Sequence, residues 1–311
     1  MSTNISFLWD TLSSENSVSG FRRFDVTHVL DFYVGIDSEG RRALLLICPS
    51  EPSIQSDMRA VRVRSLERDD GRWSLFLVLE DVRLIELFSL FCEDLIESSR
   101  PLLDISNSFT FVLGRLASWR QLFERGDLGL LSENKIRGLC GELVYLRTLV
   151  DSFGELDAVA AWVGPHLADQ DFQIERHAWE IKTVRPGIKV VKVASEGQLD
   201  TKVRSIDLVV VELANCSIAS HGAFTLNSLV NDIQKLLNFN YGARLKFENS
   251  LFQAGYIVRP EYDALNLVVR DISVYSVREG FPCITADGLP VGVNRVTYEL
   301  NLLECESFRA S

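Results

Sequence analysis

Short apolar segments separated by polar turns dominate the first 80 or so residues. The segments are rich in Val, Leu and aromatic residues, and the turns include Asp69-Asp70-Gly71. Runs of this length and composition are typical of β-strands. The pattern predicts strands over 26–36, 42–48, 61–66 and 73–80.

From residue 81 the hydrophobic positions recur at helical spacing. Leu84, Leu87, Phe88, Phe91 and Leu95 follow this spacing, and 109–123 shows the same period. A third helix is predicted over 133–152, with Ser132 as its N-cap. Its apolar stripe consists of Ile136, Leu139, Cys140, Leu143, Leu146 and Val150.

Strand patterns return over 171–213, followed by a predicted helix over 226–237 and strands over 268–277 and 296–303. The best boundary lies near 125–130, around Gly126 and Gly129. We therefore expect a β-rich N-terminal domain followed by helices (1–128), a central core (129–215) and a C-terminal α/β extension packed on the core (216–311).

The composition is that of a globular protein, with 47% hydrophobic and 24% charged residues, and the formal net charge is -11. Such an acidic chain does not attract nucleic acid through its overall field, so contact with DNA requires a local basic patch, a bound metal ion or a partner. The six cysteines are far apart and lie among apolar residues, which favours buried free thiols in a reducing compartment. No secretory signal and no membrane-spanning apolar run is evident, so we expect a cytoplasmic protein.

The segment 171–182, with the sequence DFQIERHAWEIK, carries the most informative chemistry. A hairpin with a two-residue turn at Glu175-Arg176 places Asp171 opposite Glu180. Because side chains alternate across a strand, one face becomes apolar and the other polar. The apolar face holds Phe172, Ile174, Trp179 and Ile181, and the polar face holds Asp171, Gln173, Ala178, Glu180 and Lys182. His177 falls on the apolar face beside the turn, where a structural role is expected.

This register brings two carboxylates within about 5 Å of each other. Like charges at that distance repel and require compensation, which a divalent cation supplies through hard oxygen ligands. Lys182 projects from the same face as Glu180, where it can stabilise developing charge or help activate an attacking water. The set suits metal-assisted phosphodiester hydrolysis.

Asp171 followed by Glu180-Ile181-Lys182 resembles the PD-(D/E)XK nuclease motif, and the chain resembles the bacterial proteins known as PD-(D/E)XK motif proteins. The ordered segments that carry the resemblance are Gly138–Leu143, Trp162–Pro165, Gln170–Phe172, Glu180–Thr183, Ser195–Asp200, Glu279–Pro282 and Tyr298–Leu300. One departure is Gln170, which stands where the superfamily name has Pro. That position shapes the turn before the strand and carries no ligand.

The resemblance implies an α/β (α+β) protein with a restriction-endonuclease-like core, in which a mixed central sheet is flanked by helices. The core order is a helix, three strands near 171–175, 178–184 and 189–194, a helical piece near Ser195 and a closing strand over 206–213. Gly138 and Gly141 are expected to let the first helix approach the sheet closely.

The resemblance also implies site residues and partners. Asp171, Glu180 and the Ile181 carbonyl would hold Mg²⁺, with Mn²⁺ as a substitute. Glu142 would complete the metal site, Lys182 would serve the water nucleophile, and Gln198 would hold the substrate or the site geometry. DNA is the implied substrate, in bacterial restriction or anti-phage defence. The implied partner is a helicase-like ATPase or a methyltransferase, and a homodimer is compatible with the sequence.

Several alternatives stay open. The chain could be a catalytically inactive nuclease-fold subunit that acts as a scaffold or positions DNA, and RNA could replace DNA as the substrate. Glu142 is equally a helix-edge charge, and Gln198 a capping or surface residue. Over 182–204 there are six basic residues against two acidic ones, which fits either a phosphate-facing groove or an ordinary solvated strand edge.

Overall fold

The computed structural model describes residues 5–14, 20–53, 57–58, 60–125, 130–237 and 239–310. Its backbone contacts divide the chain into two compact units, 1–129 and 130–311. The loop with Gly126 and Gly129, where we expected the boundary, lies outside the described residues. Residues 216–311 share the second unit with the segment expected to form the core.

The described part of the first unit contains a five-stranded antiparallel sheet and helices. The strands are β1 Gly20–Arg23, β2 Asp31–Ile36, β3 Arg42–Cys48, β4 Val61–Glu67 and β5 Trp73–Leu79, and the helices are α1 Ile5–Ser14, α2 Ile85–Ser99 and α3 Ile105–Arg125. The strand order is β1-β2-β3-β5-β4. Helix α1 packs against β2 of this sheet, and packing against a helix helps a sheet to be stable on its own.

Two features of this unit differ from the sequence prediction. The strand expected over 26–36 begins only at Asp31, because the Leu30 amide donates to Nδ1 of the buried His28 (3.0 Å) and turns the chain before the strand. Helix α1 was not predicted. Its buried Trp9 donates from Nε1 to the carbonyls of Gly35 (3.1 Å) and Ala43 (3.2 Å), which fixes the helix to the sheet.

The second unit is built on a four-stranded mixed sheet. The strands of this sheet are β6 Phe172–Ile174, β7 His177–Val184, β9 Ser205–Asn215 and β10 Leu267–Val277. Two further strands, β8 Val190–Val193 and β11 Tyr298–Asn301, pair with each other in a separate sheet. The helices are α4 Glu133–Phe153, α5 Glu155–Ala161, α6 Leu226–Leu236 and α7 Tyr241–Gln253. The order in the mixed sheet is β10-β9-β7-β6, with β7 and β9 parallel and the other pairs antiparallel. The mixed sheet flanked by helices confirms the expected fold class.

The mixed sheet separates two hydrophobic cores. Trp179 and Ile181 of β7 point to one face, where they pack with the helices, and Ala178 and Val184 point to the opposite face, where they pack with β8 and β11. This alternation follows from the two-residue period of a strand. Glu180 and Lys182 therefore leave β7 on the side that carries the β8–β11 pair.

Three predictions about the core need correction. The strand expected over 189–194 is β8, which joins β11 instead of the mixed sheet, because Val191 and Val193 bury their side chains over the sheet face. The helical piece expected near Ser195 is a pair of turns, with Gln198 N donating to Ser195 O and Asp200 N to Gly197 O (3.3 Å each). The strand expected over 296–303 ends at Asn301 and continues as a 3-10 helix, Leu302–Phe308.

Helix α4 contacts the sheet closely at one glycine. Its Ser132 N-cap accepts from Lys135 N, and it ends before Gly154, whose φ of 82° favours glycine. A Cβ on Gly141 would lie 2.0 Å from Thr183 Oγ1, so only glycine allows this approach. The same expectation for Gly138 was wrong, because a Cβ there would meet no described atom within 4 Å.

Candidate active site

The β6–β7 hairpin has the register that the sequence predicts. Phe172 pairs with Trp179, Gln173 with Ala178, and Ile174 with His177. Asp171 comes one residue before β6, and its Oδ2 accepts a hydrogen bond from Ile181 N (2.8 Å). The Asp171 carboxylate therefore reaches the backbone of β7 next to Glu180. Asp171 and Glu180 are not a backbone pair of the β6–β7 ladder.

A tight loop holds the backbone of Asp171 from the other side. The Asp171 carbonyl accepts from the amides of Val163 and Gly164, both at 2.9 Å. A Cβ on Gly164 would lie 2.7 Å from Asp171 Oδ1, so glycine is required for this close approach. The Trp162–Pro165 segment thus orders the chain before Asp171.

Glu180 is the most deeply buried of the predicted acids, with 1% of its surface exposed. Its Oε1 lies 2.7 Å from Lys182 Nζ. Its Oε2 is buried and has no hydrogen-bond partner among the described residues. A buried carboxylate oxygen without a partner is costly, so this atom needs an explanation beyond packing.

Lys182 and Gln198 form a second part of the site. Lys182 Nζ donates to Gln198 Oε1 (3.1 Å) in addition to its ion pair with Glu180. Gln198 Oε1 also accepts from Ala194 N (2.7 Å), which fixes the amide at the end of β8. The glutamine thereby orients the ammonium group toward the buried acid.

Gln170 connects this part of the site with the hairpin. It is buried, and its Nε2 donates to the carbonyls of Gly197 (2.8 Å) and Gln198 (3.4 Å). Its Oε1 accepts from Gln173 Nε2 (3.1 Å). A proline at this position would lack the side-chain amide that makes these bonds. Gln170 therefore links the segment before β6 to the turn at Gly197 and Gln198.

Glu142 lies on α4, and its Oε2 accepts from Trp162 Nε1 (2.7 Å). Trp162 is buried and forms an isolated bridge with Phe172 of β6. The indole therefore links the helix acid to the strand that follows Asp171. This link was missed in the sequence, where Trp162 is separated from Glu142 by most of α4 and by α5.

Burial raises the pKa of all three acids. The pKa of Asp171 rises to about 6, against the opposing effects of the Ile181 amide and Lys182. Burial, with repulsion from Asp171, holds the pKa of Glu180 well above its ordinary value. Burial and Asp171 also raise the pKa of Glu142, against the opposing effects of the Trp162 hydrogen bond and Lys182. One ammonium group thus faces three carboxyl groups whose ionised forms burial disfavours, an effect that a bound cation opposes.

Tyr298 of β11 faces the same region and was not predicted as a site residue. Its hydroxyl oxygen is buried. Burial raises its pKa, the backbone of Ile284 acts in the opposite direction, and the charges of Cys283 and Glu180 add to the rise. The sequence does not show that this phenol lies beside the acids, because its position depends on the pairing of β11 with β8.

The residues present fit a hard divalent cation. Mg²⁺ binds proteins through one or two carboxylates and keeps water and substrate oxygens as further ligands. Asp171 and the partnerless Oε2 of Glu180 supply such carboxylates, and the Ile181 carbonyl points to the same strand edge as its amide, toward Asp171. In the described part of the chain no group of three His, Cys, Asp or Glu side chains is placed to hold a metal ion.

A comparison with protein families identifies the class. A family model described as "Putative PD-(D/E)XK family member, (DUF4420)" matches residues 5–303. The chain therefore belongs to this family, whose description agrees with the nuclease-like fold of the second unit. No curated protein and no solved structure shows a significant match. Among the described residues no helix is long and apolar enough to cross a membrane.

Proposed function

We propose that the protein is a Mg²⁺-dependent nuclease that hydrolyses DNA phosphodiester bonds in bacterial restriction or anti-phage defence. The observation that carries the proposal is the buried Oε2 of Glu180, which has no partner in the described chain although Asp171 and Lys182 are close by. Burying a carboxylate oxygen without a partner costs free energy, and a bound ligand would offset that cost.

Asp171 and Glu180 would hold the ion, together with the Ile181 carbonyl, and Mn²⁺ would substitute for Mg²⁺. The ion would polarise the phosphoryl oxygen and lower the pKa of a bound water. Glu142 would complete the site from α4, where Trp162 fixes its carboxyl group.

Lys182 would position the attacking water and stabilise the charge that develops on the phosphate oxygens. Gln198 would keep its ammonium group in place, because Gln198 Oε1 accepts a hydrogen bond from Lys182 Nζ. The ammonium group also pairs with Glu180 Oε1, and it would turn to the substrate if Glu180 bound the ion.

Exposed cations near the site support a polyanionic substrate. Arg185, Lys189 and Lys192 are exposed on the segment that follows β7. Phosphate contacts of this kind provide affinity without reading sequence. Because the whole chain has a net charge of -11, a helicase-like ATPase or a methyltransferase would help deliver DNA to the site.

A second candidate function is that of an inactive scaffold with the same fold. Two observations favour it: Lys182 already neutralises one oxygen of Glu180, and no group of three metal-ligand side chains occurs in the described residues. In that case the acids and the lysine would serve assembly or DNA positioning.

Cleavage of supercoiled plasmid in Mg²⁺ or Mn²⁺ separates the two functions. Lys182→Ala and Glu180→Gln should each lower the cleavage rate by roughly 100- to 1,000-fold, because each removes a group that acts in the transition state. The matched controls are Lys235→Ala and Glu304→Gln, whose side chains are exposed away from the site. Equal cleavage by all five proteins would refute the assigned site. Mn²⁺ binding without cleavage of DNA or RNA would favour the scaffold.

A further inference from the structure

A second cluster of reactive side chains lies at the beginning of the parallel strands. His177 of β7 is directly opposite Ser205 of β9, and Asp207 lies two residues further along the same strand. Because side chains alternate along a strand, Ser205 and Asp207 share the face on which His177 stands. The parallel register therefore gathers a hydroxyl, an imidazole and a carboxylate.

The three side chains are joined by hydrogen bonds. His177 Nδ1 lies 2.7 Å from Ser205 Oγ, and His177 Nε2 lies 3.0 Å from Asp207 Oδ2. An ionised carboxylate only accepts, so Nε2 carries the proton and Nδ1 can accept from the serine hydroxyl. Ser205 Oγ also lies 3.2 Å from the Arg176 carbonyl, so its proton has two acceptors, of which His177 Nδ1 is the closer. Ser276 donates to the other Asp207 oxygen, Oδ1 (2.9 Å), which holds the carboxylate in place.

The cluster borders a pocket of about 420 Å³ that is separate from the carboxylate site. Phe153, Ile174 and Trp179 provide an apolar part of its lining, and His177 and Ser205 also line it. Ser205 is exposed and His177 is partly exposed, so both can meet a ligand in the pocket. The pocket is widely open to solvent, and Glu175 and Arg176 also line it. Arg176 carries the positive charge that a developing oxyanion requires.

We propose that Ser205, His177 and Asp207 form a nucleophilic site that hydrolyses small esters with an apolar acyl group. A serine, a base that accepts its proton and a carboxylate that orients the base are the parts that acyl transfer needs, and here they adjoin a pocket that fits an acyl chain. The site goes beyond the nuclease function and uses none of the residues assigned to it.

The reaction has two balanced steps. Ser205 Oγ attacks the acyl carbon while its proton moves to His177 Nδ1, and the alcohol leaves with that proton as the ester bond breaks. A water then attacks the acyl-serine and gives its proton to His177. The acid leaves, and Ser205 recovers the proton. Asp207 stabilises the imidazolium that exists between the proton transfers.

The test uses the full chain with a fluorophosphonate probe and with p-nitrophenyl acetate, both in the presence of a metal chelator. The probe forms a bond from Ser205 Oγ to phosphorus and releases fluoride, so peptide mass spectrometry locates it. We expect Ser205 to be modified roughly 100-fold faster than the exposed Ser217, because only Ser205 has a general base. Ester hydrolysis should fall by a similar factor in Ser205→Ala and His177→Gln, and stay unchanged in Ser217→Ala.

Labelling of Ser205 no faster than that of Ser217, or equal ester hydrolysis by wild type and Ser205→Ala, would overturn the proposal. His177→Gln retains Ser205, so loss of probe labelling in this variant reports on the base and not on loss of the nucleophile. The result is independent of the nuclease proposal, because the assays contain a chelator and Ser205, His177 and Asp207 are not among the residues assigned to the carboxylate site.

Discussion

Each unit of the protein contains a buried acid that accepts a hydrogen bond from a tryptophan, but the two acids have different surroundings. In the first unit Asp94 accepts from Arg115 through both oxygens (2.6 and 2.7 Å) and from Trp119 Nε1 (2.6 Å). In the second unit Glu142 accepts from Trp162 and shares its region with two further acids and one lysine.

The difference shows how a structural ion pair can be told from a functional site. Asp94 has one matched cation, and both of its oxygens are satisfied, so the pair is complete without a ligand. Asp171, Glu180 and Glu142 have one lysine between them, and Glu180 keeps an oxygen without a partner in the described chain. Burial alone does not distinguish the two clusters; the balance of charges and hydrogen bonds does.

The largest effect is expected from breaking the complete pair. Arg115→Ala leaves Asp94 buried without its cation and should lower the free energy of unfolding by about 3–5 kcal/mol. Arg83→Ala is the matched control, because its pair with Asp81 is exposed to solvent and should contribute little to stability. Urea unfolding followed by tryptophan fluorescence measures both. Equal effects would show that the Asp94 pair is no more structural than a surface pair.

The opposite sign is expected in the candidate site. Asp171→Asn removes one of the repelling charges, while its side-chain oxygen still accepts from Ile181 N. At pH 7 and without metal it should raise the free energy of unfolding by up to about 3 kcal/mol, since the pKa of Asp171 lies about two units above its ordinary value. A loss of stability in Asp171→Asn would contradict the claim that the three carboxyl groups destabilise the protein when no ion is bound.

The same shift predicts the pH dependence of the metal-free protein. Because the folded state holds the Asp171 proton up to about pH 6 and the unfolded state releases it near pH 4, stability should fall as pH rises through this window. The fall should be smaller in Asp171→Asn. Thermal melts from pH 4 to pH 7 with a chelator measure it, and a difference between wild type and variant that does not change with pH would be the contrary result.

The close contact of helix α4 with the sheet at Gly141 can be tested without changing a charge. Gly141→Ala places a Cβ against Thr183 and should cost about 1–3 kcal/mol while displacing the helix that carries Glu142. Gly138→Ala on the same helix is the control and should be neutral or stabilising by up to about 1 kcal/mol. Gly141→Ala combined with Thr183→Ala should recover part of the loss. Thermal melts and Mn²⁺ affinity test this, and equal behaviour of the two glycine variants would contradict the close approach.

The smallest effect is expected at Gln198. Gln198→Ala should lower the cleavage rate by about 10-fold, because Lys182 loses one hydrogen-bond partner but keeps its charge and its pair with Glu180. Plasmid cleavage under single-turnover conditions measures the change. A loss as large as that of Lys182→Ala would mean that Gln198 contacts the substrate directly.

Local patterns predicted part of this picture. The hairpin register and the shared side of Glu180 and Lys182 follow from the two-residue period of a strand, which a sequence displays directly. The position of Asp171 was predicted less accurately. Its carboxylate bonds to the Ile181 amide, because the ladder begins one residue later, at Phe172.

Long-range pairings could not be predicted in the same way. The pairing of β8 with β11 joins segments about a hundred residues apart, and no local period records such a partner. The contacts of His177 depend on the parallel register of β7 and β9, so its hydrogen bonds to Ser205 and Asp207 could not be predicted, and the structural role expected for it stays a prediction. The Glu142–Trp162 bond likewise depends on how α5 returns the chain to the sheet.

The central claim is that the acids of the second unit are arranged for a cation, and a calorimetric titration with Mn²⁺ tests it most directly. In two buffers of different ionisation enthalpy at pH 6, wild type should bind Mn²⁺ and release protons, because Asp171, with a pKa of about 6, is partly protonated until the ion arrives. Asp171→Asn and Glu180→Gln should bind at least about 10-fold more weakly, while Glu304→Gln binds as wild type does. Absence of binding to wild type, or equal binding by all four proteins, would contradict the account.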